Sequence, residues 1–198
     1  MTSEDLKLFI NIPTLNTLRL RLRKITLADY LDVHEYSVVP EVSEYLMWRP
    51  HTCIAETRNL LKNIERRYKS GEFYDWGIEF QGHMVGTVGF TSLSVANNTG
   101  ELGYVLSRRY WGRGIATEAA RAVIAFGFEQ LRLNRIECRY IKENKSSYRL
   151  TQRCHLKYEG CLRDAMIIKG IRRDIAISSI LAGEYFDIKY ADGSDRNT

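Results

Sequence analysis

A short turn rich in arginine and glycine lies between two segments of regular pattern. Residues 109–114 read Arg-Tyr-Trp-Gly-Arg-Gly; a strand-like run from Leu102 to Leu106 precedes them, and a helical run begins at Ile115. The first N–H groups of a helix lack partners within the helix and carry partial positive charge. Glycines let that backbone approach a phosphate group closely. The segment therefore predicts an anion site for a phosphorylated small molecule.

Two common phosphate-binding motifs do not match this turn. A Walker loop ends in Lys-Ser/Thr, whereas Gly114 is followed by Ile115 and Ala116. A dinucleotide fingerprint needs a third glycine three residues after the second, and Thr117 stands there. The sequence thus disfavours a P-loop nucleotidase and a dinucleotide-dependent enzyme.

Composition narrows the class of protein further. The formal charge of +5 suits an anionic ligand or a nucleic acid and does not choose between them. The four cysteines form no C-x-x-C pair and have no histidine at metal-ligand spacing, so no metal site is expected. The N-terminus lacks the order of a signal peptide, and no apolar run approaches the roughly 18 residues of a membrane span. We therefore expect a cytoplasmic protein without a membrane partner.

The hydrophobic patterns predict the elements that must position the turn. Strands are predicted over 18–23, 76–80, 84–93, 101–107, 135–141, 159–168 and 173–181, and helices over 26–40, 55–68, 115–130 and 144–156. The strand, helix and strand around the turn form a β-α-β unit, so their two strands should be parallel. This order predicts one mixed sheet flanked by helices, of the α/β (α+β) class.

The turn and its surroundings resemble a known family. The pattern Arg109-x-x-Gly112-x-Gly114 is similar to the acetyl-CoA pyrophosphate loop of the GNAT N-acetyltransferase superfamily. Segments 18–21, 101–106, 144–149, 159–163 and 173–181 resemble its ribosomal-protein N-terminal acetyltransferase branch, the RimJ/RimL-like proteins. The resemblance covers roughly residues 14–188, and it departs from the family where His155-Leu156 replaces the usual Gly-Phe, which puts the local turn in doubt.

The resemblance implies a fold and a division of the chain. It implies a central mixed, mostly antiparallel sheet of about seven strands, flanked by about four helices, with two strands splayed at the acetyl-CoA site. Residues 1–13 would form an N-terminal extension, 14–188 the single N-acetyltransferase domain, and 189–198 a polar tail. The oligomeric state implied is a monomer or a homodimer.

The resemblance also assigns residues to the cosubstrate, acetyl-CoA. Free backbone groups of the splayed strand would pair with pantetheine, the turn and helix start would hold the pyrophosphate, and a later helix would contact the pantetheine arm. These residues are Tyr104, Val105, Leu106, Ser107, Arg109, Gly112, Arg113, Gly114, Ala116, Thr117, Asn144 and Ser147.

The pair Asn144 and Ser147 allows two interpretations. Spaced three apart at a helix start, the two residues are typical of a helix cap. The resemblance instead implies that Asn144 contacts pantetheine and that Ser147 donates a proton to the leaving thiolate. Many relatives carry a tyrosine acid four residues after Ser147, where this chain has Thr151.

The implied reaction is direct attack of an amine on the acetyl thioester. A protonated amine is no nucleophile, so a base must take its proton. Glu101, at the start of the strand beside the site, is the candidate base, acting directly or through water. A backbone N–H of Val105 or Leu106 would stabilise the oxyanion. An α-amine titrates near pH 8 and a lysine amine near 10.4, so an α-amine needs less help.

The acceptor would bind near aromatic residues after the first helix. Tyr45, Trp48 and Trp76 are the candidates for its pocket, with ordinary core packing as the alternative. By branch resemblance the acceptor is a protein N-terminal amine, ahead of a small amine or antibiotic. Two non-enzymatic classes stay open: a CoA-binding module and an RNA-binding protein. The catalytic candidates argue against the first, and the absence of an RNA-binding signature argues against the second, so no direct contact with nucleic acid is expected.

Overall fold

All strands in the described part of the chain form one sheet. A computed structural model describes residues 9–191. Its eight strands lie in the order β1-β2-β3-β4-β5-β6-β8-β7. They are β1 (Leu15–Asn16), β2 (Arg21–Arg23), β3 (Tyr74–Phe80), β4 (His83–Ser94), β5 (Thr99–Leu106), β6 (Arg135–Ile141), β7 (Lys157–Ile168) and β8 (Ile171–Leu181). Every neighbouring pair is antiparallel except β5 and β6, which are parallel as predicted.

Helices cover this sheet, which confirms the predicted mixed, mostly antiparallel α/β class. Within residues 9–191 they are α1 (Tyr30–Ser37), α2 (Pro40–Ser43), α3 (Ile54–Ser70), α4 (Ile115–Glu129), α5 (Lys145–Arg153) and α6 (Ala182–Ala191). The buried stripe of α4 includes Ala119, Ala120, Val123 and Ile124. Small residues in that stripe let the helix approach the sheet closely, which brings its first turn to the edge of β5.

The sheet has one strand more than predicted, and the helices differ at their ends. The extra strand, β1, has only two residues, too few to show a period. Leu18, predicted in a strand, is 95% exposed in the turn before β2. Pro40 was expected to end the first helix, but it begins α2, because its fixed φ angle suits the first helical position.

The pairing of β5 with β6 stops after three residue pairs. The register runs Thr99↔Arg135, Gly100↔Ile136 and Glu101↔Glu137, and no pair follows. Beyond Glu101 the two strands diverge, while β5 stays paired with β4 through Leu106. The predicted splay is thus confirmed, and it leaves a gap in the middle of the sheet.

Both ends of the described chain pack against the domain. The ring of Phe9 is fully buried, 4.8 Å from that of Tyr74 and 5.7 Å from that of Trp76. At the other end Tyr185 of α6 stacks on Phe128 at 4.9 Å, and α6 continues through Ala191. Residues 9–13 and 189–191 are therefore structured, whereas 1–8 and 192–198 lie outside the described residues. No helix of residues 9–191 has the length and apolarity to cross a membrane.

The turn after α5 contains a residue in the left-handed backbone conformation, which favours glycine. His155, which stands where the resembling family has glycine, has φ +62° directly after the helix end. A left-handed residue at this position is the usual way for a helix to stop. The chain thus forms a left-handed turn here with histidine in place of the family's glycine, at the steric cost that a side chain has in that conformation.

Candidate functional site

A cavity of about 750 Å³ opens at the gap between β5 and β6. One half is lined by the glycine turn, the start of α4 and the helix α5, and the other half by α2, the residues after it and the neighbouring strands. Of the residues assigned from sequence, those on its wall are Tyr45, Glu101, Tyr104, Val105, Leu106, Gly112, Gly114, Ala116, Thr117, Asn144 and Ser147.

The glycine turn presents the N-terminus of α4 to the cavity. Gly112 and Gly114 both have φ +75°, and Gly114 is the N-cap of α4. Most side chains at either position would be strained, since residues other than glycine, asparagine and aspartate rarely adopt this region. The turn therefore exposes unpaired backbone N–H groups of the helix start, which is the requirement for binding a phosphate group.

Two predicted arginines do not line the cavity. The Arg109 guanidinium is 71% exposed and lies 3.7 Å from a carboxylate oxygen of Glu35 on α1. The Arg113 guanidinium lies over the ring of Tyr110, at 5.5 Å from its centroid. Both side chains point along the rim, so the backbone rather than these guanidinium groups forms the wall.

Ser107 is also displaced from its predicted role. Its N–H donates to the carbonyl of Val85 at 2.8 Å, and its carbonyl accepts from Tyr110 at 3.0 Å. Because both backbone groups are engaged within the protein, neither is free to pair with pantetheine. The available stretch of the splayed strand ends one residue earlier, where the Leu106 carbonyl accepts a hydrogen bond of 2.8 Å from the Trp111 indole.

The helix α5 begins with the cap that its sequence suggested. The Asn144 side chain accepts from the N–H of Ser147 at 3.1 Å, so the capping interpretation is the one observed. Both residues also lie on the cavity wall, and Ser147 is only 8% exposed. Thr151 is fully buried and donates to the carbonyl of Tyr148 at 2.8 Å, which leaves it no part in the cavity.

The hydroxyl of Tyr104 was not recognised from the sequence, which assigned only its backbone. It is buried and has no hydrogen-bond partner within residues 9–191. Burial, with the Cys138 thiol nearby, raises the pKa of Tyr104 well above its usual value, although the neighbouring Ser147 side chain opposes the shift. The hydroxyl therefore keeps its proton and has a free donor beside Ser147.

Glu101 lies at the point where β5 and β6 separate. Its side chain is 29% exposed, and one oxygen lies 3.9 Å from the Arg139 guanidinium. Arg139 forms its closer contact, 2.8 Å, with Glu137. The Glu101 carboxylate is thus loosely held at the cavity wall, where a proton acceptor for an incoming amine would be needed.

Two of the three predicted acceptor residues do not line the cavity. Trp76 is fully buried, and its indole donates to the carbonyl of Pro13 at 2.7 Å. Trp48 lies away from the cavity, with its ring 5.8 Å from that of His51. The sequence could not tell an aromatic core residue from an aromatic pocket residue, because both favour strand and loop positions. Of the three, only Tyr45 lines the cavity.

Asp75 also lines the cavity and was not among the predicted residues. Its Oδ1 atom is buried and has no hydrogen-bond partner in the described part of the chain. Burial raises the pKa of this carboxyl to about 7, although Arg67 opposes the shift. An aspartate inside an otherwise apolar strand, Tyr-Asp-Trp-Gly-Ile, is the signal that could have found it.

Comparison with known proteins decides the family. The Acetyltransferase (GNAT) domain matches residues 19–157. The N-acetyltransferase p20 of Bacillus licheniformis is 36% identical over 174 residues, which are 87% of this chain and 98% of that protein. The chain belongs to the GNAT acetyltransferase family. It is therefore an N-acetyltransferase that uses acetyl-CoA, as the resemblance implied, and the splayed gap and glycine turn are where the cosubstrate is expected.

A solved structure agrees with this GNAT assignment over nearly the whole fold. The GNAT-family acetyltransferase from Bacillus anthracis superposes with a TM-score of 0.77 at 27% identity, covering 87% of this chain and all of that one. The eight-stranded open sheet and its helices are thus the GNAT fold rather than an incidental likeness.

Proposed function

We propose that this GNAT acetyltransferase transfers an acetyl group from acetyl-CoA to a primary amine by direct attack within the cavity. The proposal rests on one observation: three features line the same cavity. They are the unpaired stretch of β5, the glycine turn at the start of α4, and Glu101. Acetyl-CoA, when bound, supplies the thioester whose carbonyl the amine attacks.

The residues present fit that cosubstrate. The amides around Gly112, Gly114 and Ala116 lie at a helix N-terminus with no side chain in the way, which suits a pyrophosphate. The open edge of β5 at Tyr104 and the N–H of Leu106 suits a pantetheine arm, whose amides pair as a strand would. Asn144 reaches the same gap from α5.

The remaining catalytic roles, those of base, oxyanion donor and acid, are assigned to groups that line the cavity. Glu101 takes a proton from the incoming ammonium group, directly or through water. A backbone N–H of Val105 or Leu106 stabilises the developing oxyanion. Ser147 delivers a proton to the leaving thiolate and regains one from solvent, while the Tyr104 hydroxyl beside it keeps its own proton and in this step donates a hydrogen bond to the Ser147 oxygen.

The acceptor has two candidate classes. YdaF of Bacillus subtilis, 26% identical over 146 residues, carries the name of a ribosomal N-acetyltransferase, which supports a protein N-terminal amine. A relative from Escherichia coli, 25% identical over 170 residues, is a spermidine N(1)-acetyltransferase, which supports a small amine. The acidic lining near Glu44, Asp75 and Glu101 favours a cationic acceptor in either case.

One experiment tests the proposed function. The protein is incubated with acetyl-CoA and, in parallel, with a peptide library and a panel of small amines, and products are read by mass spectrometry. We expect a mass increase of one acetyl group on primary amines. Acetylation confined to lysine side chains would contradict the α-amine candidate, and no acetylated product from any class would contradict the function.

A further inference from the structure

Asp75 has two glycines as its successive cross-strand neighbours in the sheet. Asp75 of β3 pairs with Gly89 of β4, and Gly89 pairs with Gly103 of β5. Directly opposed residues of antiparallel strands point to the same face. A Cβ atom placed on Gly89 would lie 2.2 Å from the Tyr74 carbonyl oxygen, 2.3 Å from Asp75 Oδ1 and 2.4 Å from Asp75 Cα, so the Asp75 carboxylate occupies the space beside Gly89 on its β3 side.

No cationic side chain within residues 9–191 forms an ion pair with this carboxylate. Arg67 of α3 is the charge that acts on it, but the Arg67 guanidinium donates to the carbonyl of Glu72 at 2.7 Å and lies over the ring of Phe73. The Tyr68 hydroxyl donates to the Asp75 backbone carbonyl rather than to the carboxylate. A buried carboxylate without a partner is costly, and a bound cation removes that cost.

A second carboxylate, that of Glu101, lies on the same face of the sheet. Glu101 and Gly103 are two residues apart on β5, so they share a face, and both line the cavity. Strands lie about 4.8 Å apart, so Asp75 on β3 and Gly103 on β5 are separated by about 10 Å across β4. The two carboxylates line the same cavity, and the Thr91 methyl group covers Gly103, since a Cβ atom there would lie 2.4 Å from it.

We propose that Asp75 binds a second cationic group of the acceptor, so that the preferred acceptors are small amines carrying two positive charges. This inference rests on the proposed function. The reacting amine lies at the β5–β6 gap beside Glu101, and the other ammonium group lies at Asp75. Strand spacing places the two nitrogens roughly 5 to 10 Å apart, which is the span of a short aliphatic diamine.

The test compares two series of acceptors. Thiol release from acetyl-CoA is measured with α,ω-diaminoalkanes of about four to eight carbons, chosen for that span, and with n-alkylamines of the same carbon numbers. In the unaltered protein we expect kcat/KM for the best diamine to exceed that of its matched monoamine by at least about tenfold. Asp75→Asn should bring this ratio close to one by raising KM for the diamine, with little change in kcat or for monoamines.

A matched variant controls for the loss of one charge. Glu72→Gln removes a carboxylate three residues away that does not line the cavity, so the ratio should stay as in the unaltered protein. Calorimetric titration with acetyl-CoA checks that each variant is folded and binds its cosubstrate.

The pH dependence of the preference for diamines is a second measurement, and a purely structural role of Asp75 would leave it unchanged. Asp75 is faced by Arg67 and Tyr68 of α3 and by Tyr36 of α1. Because its pKa is about 7, the preference for diamines should fall as pH is lowered through 7, while Asp75→Asn shows no such fall. Both series lose free amine together, so the ratio isolates the carboxylate.

The outcomes separate the two proposals. Equal efficiency for both series in the unaltered protein, or a diamine preference that survives Asp75→Asn, would overturn this inference and leave the proposed function standing. No thiol release with any amine or peptide, alongside intact acetyl-CoA binding, would overturn the proposed function itself.

Discussion

Arg19 joins the segment before β2 to the start of α4 through Glu118. Its Nε donates to Glu118 Oε2 at 2.7 Å, and its Nη1 donates to the carbonyl of Arg113 at 3.0 Å. Burial opposes ionisation of Glu118, but hydrogen bonds from Thr17 and Arg19 hold the pKa of that carboxyl below its usual value. Arg19 thus neutralises a negative charge in the first turn of α4 and fixes a carbonyl of the glycine turn.

Replacing Arg19 should weaken acetyl-CoA binding. In Arg19→Ala the Glu118 carboxylate is no longer neutralised. Because it lies at the helix terminus that receives the pyrophosphate, its negative charge repels the pyrophosphate. We expect the Kd for acetyl-CoA, measured by calorimetry, to rise about five- to tenfold, or roughly 1 kcal/mol. Arg21→Ala is the control, because the Arg21 guanidinium lies on β2 and faces Glu79 at 3.6 Å. Equal effects of the two variants would show that Arg19 has no specific role.

The glycine turn can be tested by charge alone. Asn and Asp both tolerate the left-handed conformation of Gly112, and a Cβ there meets no atom within 4 Å. Gly112→Asn should therefore cost little affinity, whereas Gly112→Asp adds a negative charge beside the pyrophosphate. We expect the Kd for acetyl-CoA to be at least about tenfold higher for Asp than for Asn. Similar affinities would contradict the assignment of the loop.

Glu101→Gln should lower turnover without lowering cosubstrate affinity. General-base catalysis contributes typically ~10²- to 10⁴-fold, so a fall in kcat of that order is expected near neutral pH. The deficit should narrow as pH rises past the pKa of the acceptor amine, because a free amine needs no base. A small, pH-independent loss would exclude Glu101 as the base.

The Tyr104 hydroxyl should matter for rate and not for stability. Within residues 9–191 it has no hydrogen-bond partner to lose, so Tyr104→Phe should leave Tm unchanged or slightly higher. If during the reaction its hydrogen bond to the Ser147 oxygen supports proton transfer from Ser147 to the thiolate, kcat should fall about tenfold or more. Ser147→Ala should show a similar loss, because its capping N–H belongs to the backbone and is kept. Full activity of Tyr104→Phe would remove the hydroxyl from the mechanism.

Asp75 also makes folding stability depend on pH. Because its pKa rises on folding from 3.8 to about 7, the folded protein holds a proton that the unfolded chain releases between these values. Its contribution to stability therefore falls as pH rises from about 4 to 7. Asp75→Asn lacks this term, so its advantage in free energy of unfolding should grow across that window and amount to about 2–4 kcal/mol above pH 7, seen as a rising difference in Tm. Parallel melting curves at all pH values would contradict the raised pKa.

What the sequence could predict was local. The glycine turn, α4 and the parallel strands around them follow from spacing within some forty residues, and so does the cap formed by Asn144. These features depend on neighbours along the chain, where backbone geometry and side-chain type suffice.

What it could not predict depends on contacts between distant segments. Trp76 is a core residue because Pro13 and Phe9 reach it from the N-terminal side. The Asp75 carboxylate has room because its cross-strand neighbour on β4, Gly89, has no side chain. The unusual aspartate is visible in the sequence of β3, but neither contact is, since each depends on which segments become neighbours.

The early end of the β5–β6 pairing has a mechanical consequence. Only three residue pairs join the five strands β1 to β5 to the three strands β6 to β8. Through the rest of the gap the two halves are connected by the packing of α4 and α5 and not by a continuous hydrogen-bonded ladder. A bound molecule whose amides pair as a strand does would supply hydrogen bonds across this gap. Binding at the site and rigidity of the whole sheet are therefore coupled, each favouring the other.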